Sequence, residues 1–216
     1  MRKTLAKIAA VIAVSGMIVS CQPKGEEIQL FNGTDLSNWT CYTSDTTTTA
    51  EEVFGVKDGV IHVKGNLGWM RTNERYTNYT LKVEWRWVEE LSNSGIFINQ
   101  QDQMDSFPNA IECQLMNGKA GDFVLLGGSD LAEFVVPEGK ERPAFPVVQK
   151  FTESNEKPLG EWNQAEIKVT DKGEICVKIN GVEQNKGTNS LHKEGFIGLQ
   201  SEGKPIEFRN VTLTKW

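Results

Sequence analysis

The chain has few histidines, no obvious cysteine pairs, no excess of basic residues and no helical hydrophobic period. His62 and His192 are the only histidines in 216 residues. A His-rich metal site is therefore excluded, and only a metal held by oxygen ligands is left open. No cofactor is expected. The cysteines are Cys21, Cys41, Cys113 and Cys176, and no two show the C-x-x-C spacing of a zinc or redox motif. Cys21 belongs to an export segment, so three remain, enough for at most one disulfide. Cys113 falls on the apolar phase of "AIECQLM" and is expected as a buried free thiol. No window holds a 3.6-residue period for three turns, and no repeat has the period of a propeller or solenoid.

Charge narrows the partners. Lysine and arginine number 23 against 29 aspartates and glutamates, a net charge of −6. The first twenty residues hold Arg2, Lys3 and Lys7 and no acids, so the remainder carries 20 basic against 29 acidic side chains. That surplus of negative charge argues against nucleic acid or an anionic membrane surface as a partner.

Beyond its start, the chain has no long apolar run. "MRK" followed by "IAAVIAVSGMIV" reads as an export signal, too short for a comfortable bilayer span. It ends in "IVSC", which resembles the lipobox of bacterial lipoproteins, with cleavage before Cys21 and lipidation of that residue. An ordinary secretory signal that happens to contain a cysteine is the alternative. The expected organisation is a lipoprotein signal peptide over 1–20, a tether over 21–27 and one domain over 28–216. The mature protein would be exported and held by a lipid at Cys21 on a bacterial membrane, at the outer membrane or the periplasmic face.

What is present is strand. "LKVEWRWV" alternates, with Leu81, Val83, Trp85 and Trp87 on one face and Lys82, Glu84 and Arg86 on the other. "VFGVKDGVIHVKG" reads as a hairpin turning at Asp58-Gly59, and further turns fall at Asp171-Lys172-Gly173 and Asn180-Gly181. "VVPEGKERPAFPVV", with Pro137, Pro143 and Pro146, reads as a surface loop rather than a strand, and "TSDTTTTAEE" reads as another. Many short strands with turns about every ten residues predict an all-β sandwich or jelly roll of two antiparallel sheets.

If each strand's apolar phase faces the core, a polar set faces away from it. The set holds Glu84 and Arg86, Phe97 and Asn99, Glu112 and Gln114, and Gln200 and Glu202. Amides, carboxylates and an aromatic ring suit sugar hydroxyls and the apolar face of a sugar ring. The competing reading is a plain solvated face. Trp69, among glycines in "NLGWMRT", is the candidate stacking ring, whereas Trp39 and Trp162 read as core anchors. Asn93-Ser94-Gly95 reads as a turn, with Asn93 a secondary groove residue.

The ordered landmarks "IQLFNGTDLSNWT", "VKDGVIHVKG", "YTLKVEWRWVEELSNSGIF", "IECQL", "GEWNQAEIKV", "INGV" and "GFIGLQSEGKPIEFRNVTL" resemble the 3-keto-disaccharide hydrolase family. The resemblance implies a concanavalin A-like lectin/glucanase sandwich and an enzyme acting on a 3-keto-glycoside or oligosaccharide. It would cleave the anomeric linkage either as a hydrolase or as a lyase and hydratase, in which the ketone at carbon 3 acidifies the proton on carbon 2. Two departures matter. "LQSEG" replaces the family's "LQDHG", so Glu202 stands where relatives have a histidine, and Ile111 replaces the tyrosine of "YEVQ".

Such chemistry needs a base near carbon 2, a donor or cation near the keto oxygen and an acid at the leaving group. Glu112 or Glu84 could serve as base and Arg86 as the cation, with Asn99, Gln114 and Gln200 orienting hydroxyls. The pair Glu84 and Glu112 could equally flank a bond in a conventional glycosidase. Glu84 and Arg86 could instead form a solvent-facing ion pair. A non-catalytic carbohydrate-binding lipoprotein on the same sandwich is the reading from a different class.

Overall fold

In the computed structural model, residues 25–216 are described. The expected signal segment, Cys21 and most of the tether lie outside them. The first elements are β1 (Glu27–Gln29), β2 (Trp39–Thr43), the one-turn helix α1 (Ala50–Val53), β3 (Phe54–Lys57), β4 (Val60–Val63) and β5 (Gly68–Thr72). Next come β6 (Tyr79–Trp87), β7 (Gly95–Gln100), β8 (Ala110–Gln114), β9 (Phe123–Leu126) and β10 (Val147–Val148). The last are β11 (Asn163–Val169), β12 (Ile175–Ile179), β13 (Val182–Gly187), β14 (Phe196–Ser201) and β15 (Ile206–Lys215).

Two antiparallel sheets face each other across one core. The first runs β13-β12-β11-β6-β15-β4-β3, with β1 added to β15, and the second runs β10-β9-β8-β7-β14-β5-β2. The all-β sandwich expected from the sequence is the fold. Strand β6 lies at the middle of the first sheet, and its apolar phase Leu81, Val83, Trp85 and Trp87 is buried. Each such side chain stabilises the fold by about 1.5–3 kcal/mol. From the second sheet, Ile96, Ile98, Ile111, Cys113, Ile197 and Leu199 meet that layer.

Turn chemistry falls where the residues predict it. Asp58 and Gly59 have φ of 53° and 75°, and Asn180 and Gly181 have 49° and 80°, the two successive left-handed residues a tight hairpin needs. The two stretches expected as loops are not wholly loop. Val147 and Val148 pair antiparallel with Val124 and Phe123 of β9 at the edge of the second sheet, and 43–52 contains a helical turn. Thr49 caps α1, accepting from Glu52 N while the Glu52 side chain accepts from Thr49 N, a reciprocal capping box. The three described cysteines are free, with Cys113 fully buried.

Candidate active site

The polar set predicted for one face is divided between two. Strand β6 belongs to the first sheet, whereas β5, β7, β8 and β14 belong to the second. Both sheets turn their apolar phase inward, so Glu84 and Arg86 emerge on one side of the sandwich and Glu112, Gln114 and Gln200 on the other. This corrects the expectation of a single groove containing both groups. On the first sheet, Glu84 and Arg86 do not pair with each other. Arg209 Nε donates to Glu84 at 2.7 Å and Arg86 Nε to Glu207 at 2.6 Å, each across the β6–β15 register. His62 Nδ1 lies 2.9 Å from the other Glu207 oxygen. The Trp162 ring lies under both guanidinium groups, 4.6 Å from that of Arg86 and 4.0 Å from that of Arg209. Trp162 is therefore a half-exposed clamp on the outer face rather than a core anchor, while Trp39 is in the core as expected.

The second sheet's outer face holds the candidate site. Phe97 pairs with Glu112 on one side and Gly198 on the other, and Gly198 pairs with Arg71. Two residues along β14 from Gly198, Gln200 pairs with Trp69. Glu112 is 3% exposed, while Gln200 and Gln100 are fully buried. The carboxyl of Glu112 leans over Gly95, where an added Cβ would overlap its Oε1 and Cγ and sit 2.7 Å from Cδ. Gly95 is not among the left-handed glycines. It is needed for space, which corrects its reading as a turn residue.

Electrostatics single out Glu112 together with Glu202. Burial, then the neighbouring Glu202 charge, raises Glu112 well above the ordinary carboxylate range. Glu202, only partly buried, is raised by desolvation, while the amides of Asn93 and Gln200 pull it back. Gln200 Nε2 nonetheless has no partner at hydrogen-bond distance, and neither do Gln200 Oε1, Glu112 Oε1 or Asn93 Oδ1. A buried polar atom left unpaired costs about 1–3 kcal/mol, so several on one patch suit a polar ligand. Two carboxyls whose surroundings resist ionisation to different degrees form an acid and base pair in outline.

Other predicted residues have different roles. Trp69 is on this face but fully buried, stacked on Tyr42 at 5.1 Å and donating from Nε1 to Asp105 O at 2.8 Å. It is no exposed platform, because the segment after β7 folds over it. Phe97 is likewise sealed within a cluster with Trp69, Ala110, Val124 and Leu126. Asn99 has φ of 53° at a β-bulge opposite β14, and its Nδ2 donates to His192 O at 2.7 Å. The bulge gives the outward position to Gln100 instead. Gln114 Oε1 accepts from Met116 N at 3.3 Å, closing on its own chain. Among the described residues, no three of His, Cys, Asp and Glu converge as a metal site. The sequence reading missed Gln100 and the spatial roles of Gly95 and Gly198. Two glycines on the outward phase of neighbouring strands were the signal.

A β-sandwich with a buried acid among unpaired amides on one outer sheet face has the layout of a carbohydrate-active protein. Residues 26–214 match the family described as 3-keto-alpha-glucoside-1,2-lyase-like domain, and the chain belongs to that family. A curated relative from Bacteroides thetaiotaomicron, named 3-keto-disaccharide hydrolase, is 22% identical, with 86% of this chain and 77% of that protein covered. Among solved structures, a putative glycosyl hydrolase from Parabacteroides distasonis superposes with a TM-score of 0.66 at 20% identity, covering 89% of this chain and 94% of the other. A Bacillus licheniformis β-glucanase superposes at 0.57 with 9% identity, covering 89% and 98%. The sandwich is of the lectin/glucanase type.

Proposed function

We propose that this protein is an exported, lipid-anchored enzyme that cleaves 3-keto-glycosides by elimination across carbons 1 and 2, followed by hydration. The name of the Bacteroides relative and the family description support the substrate class. The observation that carries the site is the buried Glu112 carboxyl, raised by burial and by the Glu202 charge, with Glu202 itself raised by desolvation, on a patch of unpartnered buried amides. The lipid anchor rests on the "IVSC" junction at Cys21.

A ketone at carbon 3 acidifies the proton on carbon 2. Glu202, the more exposed and less perturbed carboxyl, removes that proton, and the C–H electron pair moves into an enolate. This position holds a histidine in relatives with "LQDHG", a group of similar use as a base. The side-chain amides of Gln200 and Asn93 can donate to the charge that develops on the keto oxygen. Collapse of the enolate forms the C1–C2 double bond and expels the glycosidic oxygen from carbon 1. Glu112, kept neutral by its surroundings, gives that oxygen its proton. Water then adds at carbon 1, giving up a proton to Glu112, and carbon 2 takes back a proton from Glu202, which restores both carboxyls.

The test compares a 3-keto-glucoside with its parent glucoside in deuterated water, read by NMR. Elimination puts deuterium on carbon 2 of the product and leaves the parent glucoside intact. A two-carboxylate hydrolysis does not touch that proton. Active cleavage with no deuterium at carbon 2 rules out elimination, and binding without cleavage of either sugar makes the protein a carbohydrate-binding module.

A further inference from the structure

We infer that Gln100 forms a second hydroxyl-binding subsite on this face, on the far side of Gln200 from Glu202, where the second sugar of a disaccharide is read. The inference rests on the proposed substrate class and deepens it. Among the described residues, Gln100 and Gln200 are the two side-chain amides stranded at both the nitrogen and the oxygen. Tyr79, Trp85 and Trp87 also bury an unpaired polar atom, but there a core ring strands only one. An amide offers nothing to packing that an apolar chain of its shape would not supply better. Both amides are fully buried, so each loses a donor group and an acceptor from water.

Their placement is ordered. Along β14 the outward positions are Gln200, Gly198 and Phe196, with Glu202 just past the strand's end. The Gln100 side chain crosses over Gly198, where an added Cβ would lie 2.6 Å from Gln100 Oε1 and 2.9 Å from the Phe97 ring. Two residues of strand separate this point from Gln200, about 7 Å. Neighbouring hydroxyl positions on linked sugars fit that spacing. Arg71, paired with Gly198, lies over Phe196 at 4.1 Å and donates from Nη1 to Gln101 O at 2.8 Å. That bond and Trp69 Nε1 to Asp105 O hold the segment 101–109 across this end of the face. A sugar reaching Gln100 must lift it, whereas Glu202 stands half open at the other end.

The test is Gln100→Met, which keeps the length and removes both hydrogen-bonding groups. Three measurements are made: the thermal midpoint without sugar, and kcat/KM on 3-keto-maltose and on methyl 3-keto-α-glucoside. The variant is expected to melt about 2–4 °C higher, because an unpaired buried amide has gone. Its kcat/KM should fall about 10–100-fold on the disaccharide and stay unchanged on the methyl glycoside, which has no second ring. A lower midpoint with equal losses on both substrates makes Gln100 a structural residue and overturns the inference. Unchanged kcat/KM on the disaccharide overturns it as well. If the wild type cleaves neither compound, the proposed reaction fails, and calorimetric titration with maltose decides the subsite separately. Weaker maltose binding by Gln100→Met supports it, and equal binding refutes it.

Discussion

The carboxyl of Glu112 occupies the space that a side chain at position 95 would need. These residues face each other across β7 and β8, near the Gly95–Gln114 and Phe97–Glu112 pairs. A buried acid can then lie flat along the sheet toward Gln200 and Glu202. The site therefore depends on a missing Cβ as much as on the groups present.

Gly95→Ala should thus be far more harmful than a single methyl suggests. The added Cβ forces Glu112 out of its place, costing about 1–3 kcal/mol as overpacking. Turnover should fall at least as far as in a Glu112 variant, with the sheet preserved by circular dichroism. A fully active Gly95→Ala would show that Glu112 is not needed where it lies.

Glu112→Gln should abolish turnover while folding normally. It should also flatten the pH dependence of stability. A carboxyl whose folded pKa is raised binds its proton more tightly when folded, so its stabilisation is complete below its unfolded value, near 4.5. It is lost as pH rises from there through the folded value, with a slope of at most about 1.4 kcal/mol per pH unit. Urea unfolding of wild type should weaken across that window, and that of Glu112→Gln much less. Identical slopes would mean that Glu112 is not perturbed.

Removing the charge at position 202 should lower the pKa of Glu112, since that charge is the second force raising it after burial. Carbon-13 NMR of the Glu112 carboxyl in Glu202→Gln should show titration at lower pH than in wild type. No movement would place the two carboxyls too far apart to act as a pair.

Arg86→Met reverses what the sequence alone suggested. Arg86 lies on the opposite side of the sandwich from Glu112, so turnover should be unchanged. Stability should drop by about 1–3 kcal/mol, because Glu207, 6% exposed at its side chain, loses its 2.6 Å partner and keeps only His62. A hundredfold fall in kcat with intact folding would return Arg86 to the active site.

Residue by residue, the sequence by itself determined most of the strands, most of their inward phases, and the left-handed turns at Asp58-Gly59 and Asn180-Gly181. These are local properties, set by side-chain alternation and by which residues tolerate positive φ. The ordered motifs also carried the family. Only the tertiary structure decided which outward residues share a face. In a two-sheet sandwich each sheet buries one side and exposes the other, so alternation says that Glu84 and Glu112 both point outward but not that they point in opposite directions. That depends on pairings distant in sequence, β6 with β11 and β15, and β8 with β7 and β9. The same holds for Trp69, hidden by a segment more than thirty residues away, and for Gln100, moved outward by one bulged residue. Strand phase is written in the chain, whereas neighbourhood is chosen when the two apolar faces close on each other and exclude water.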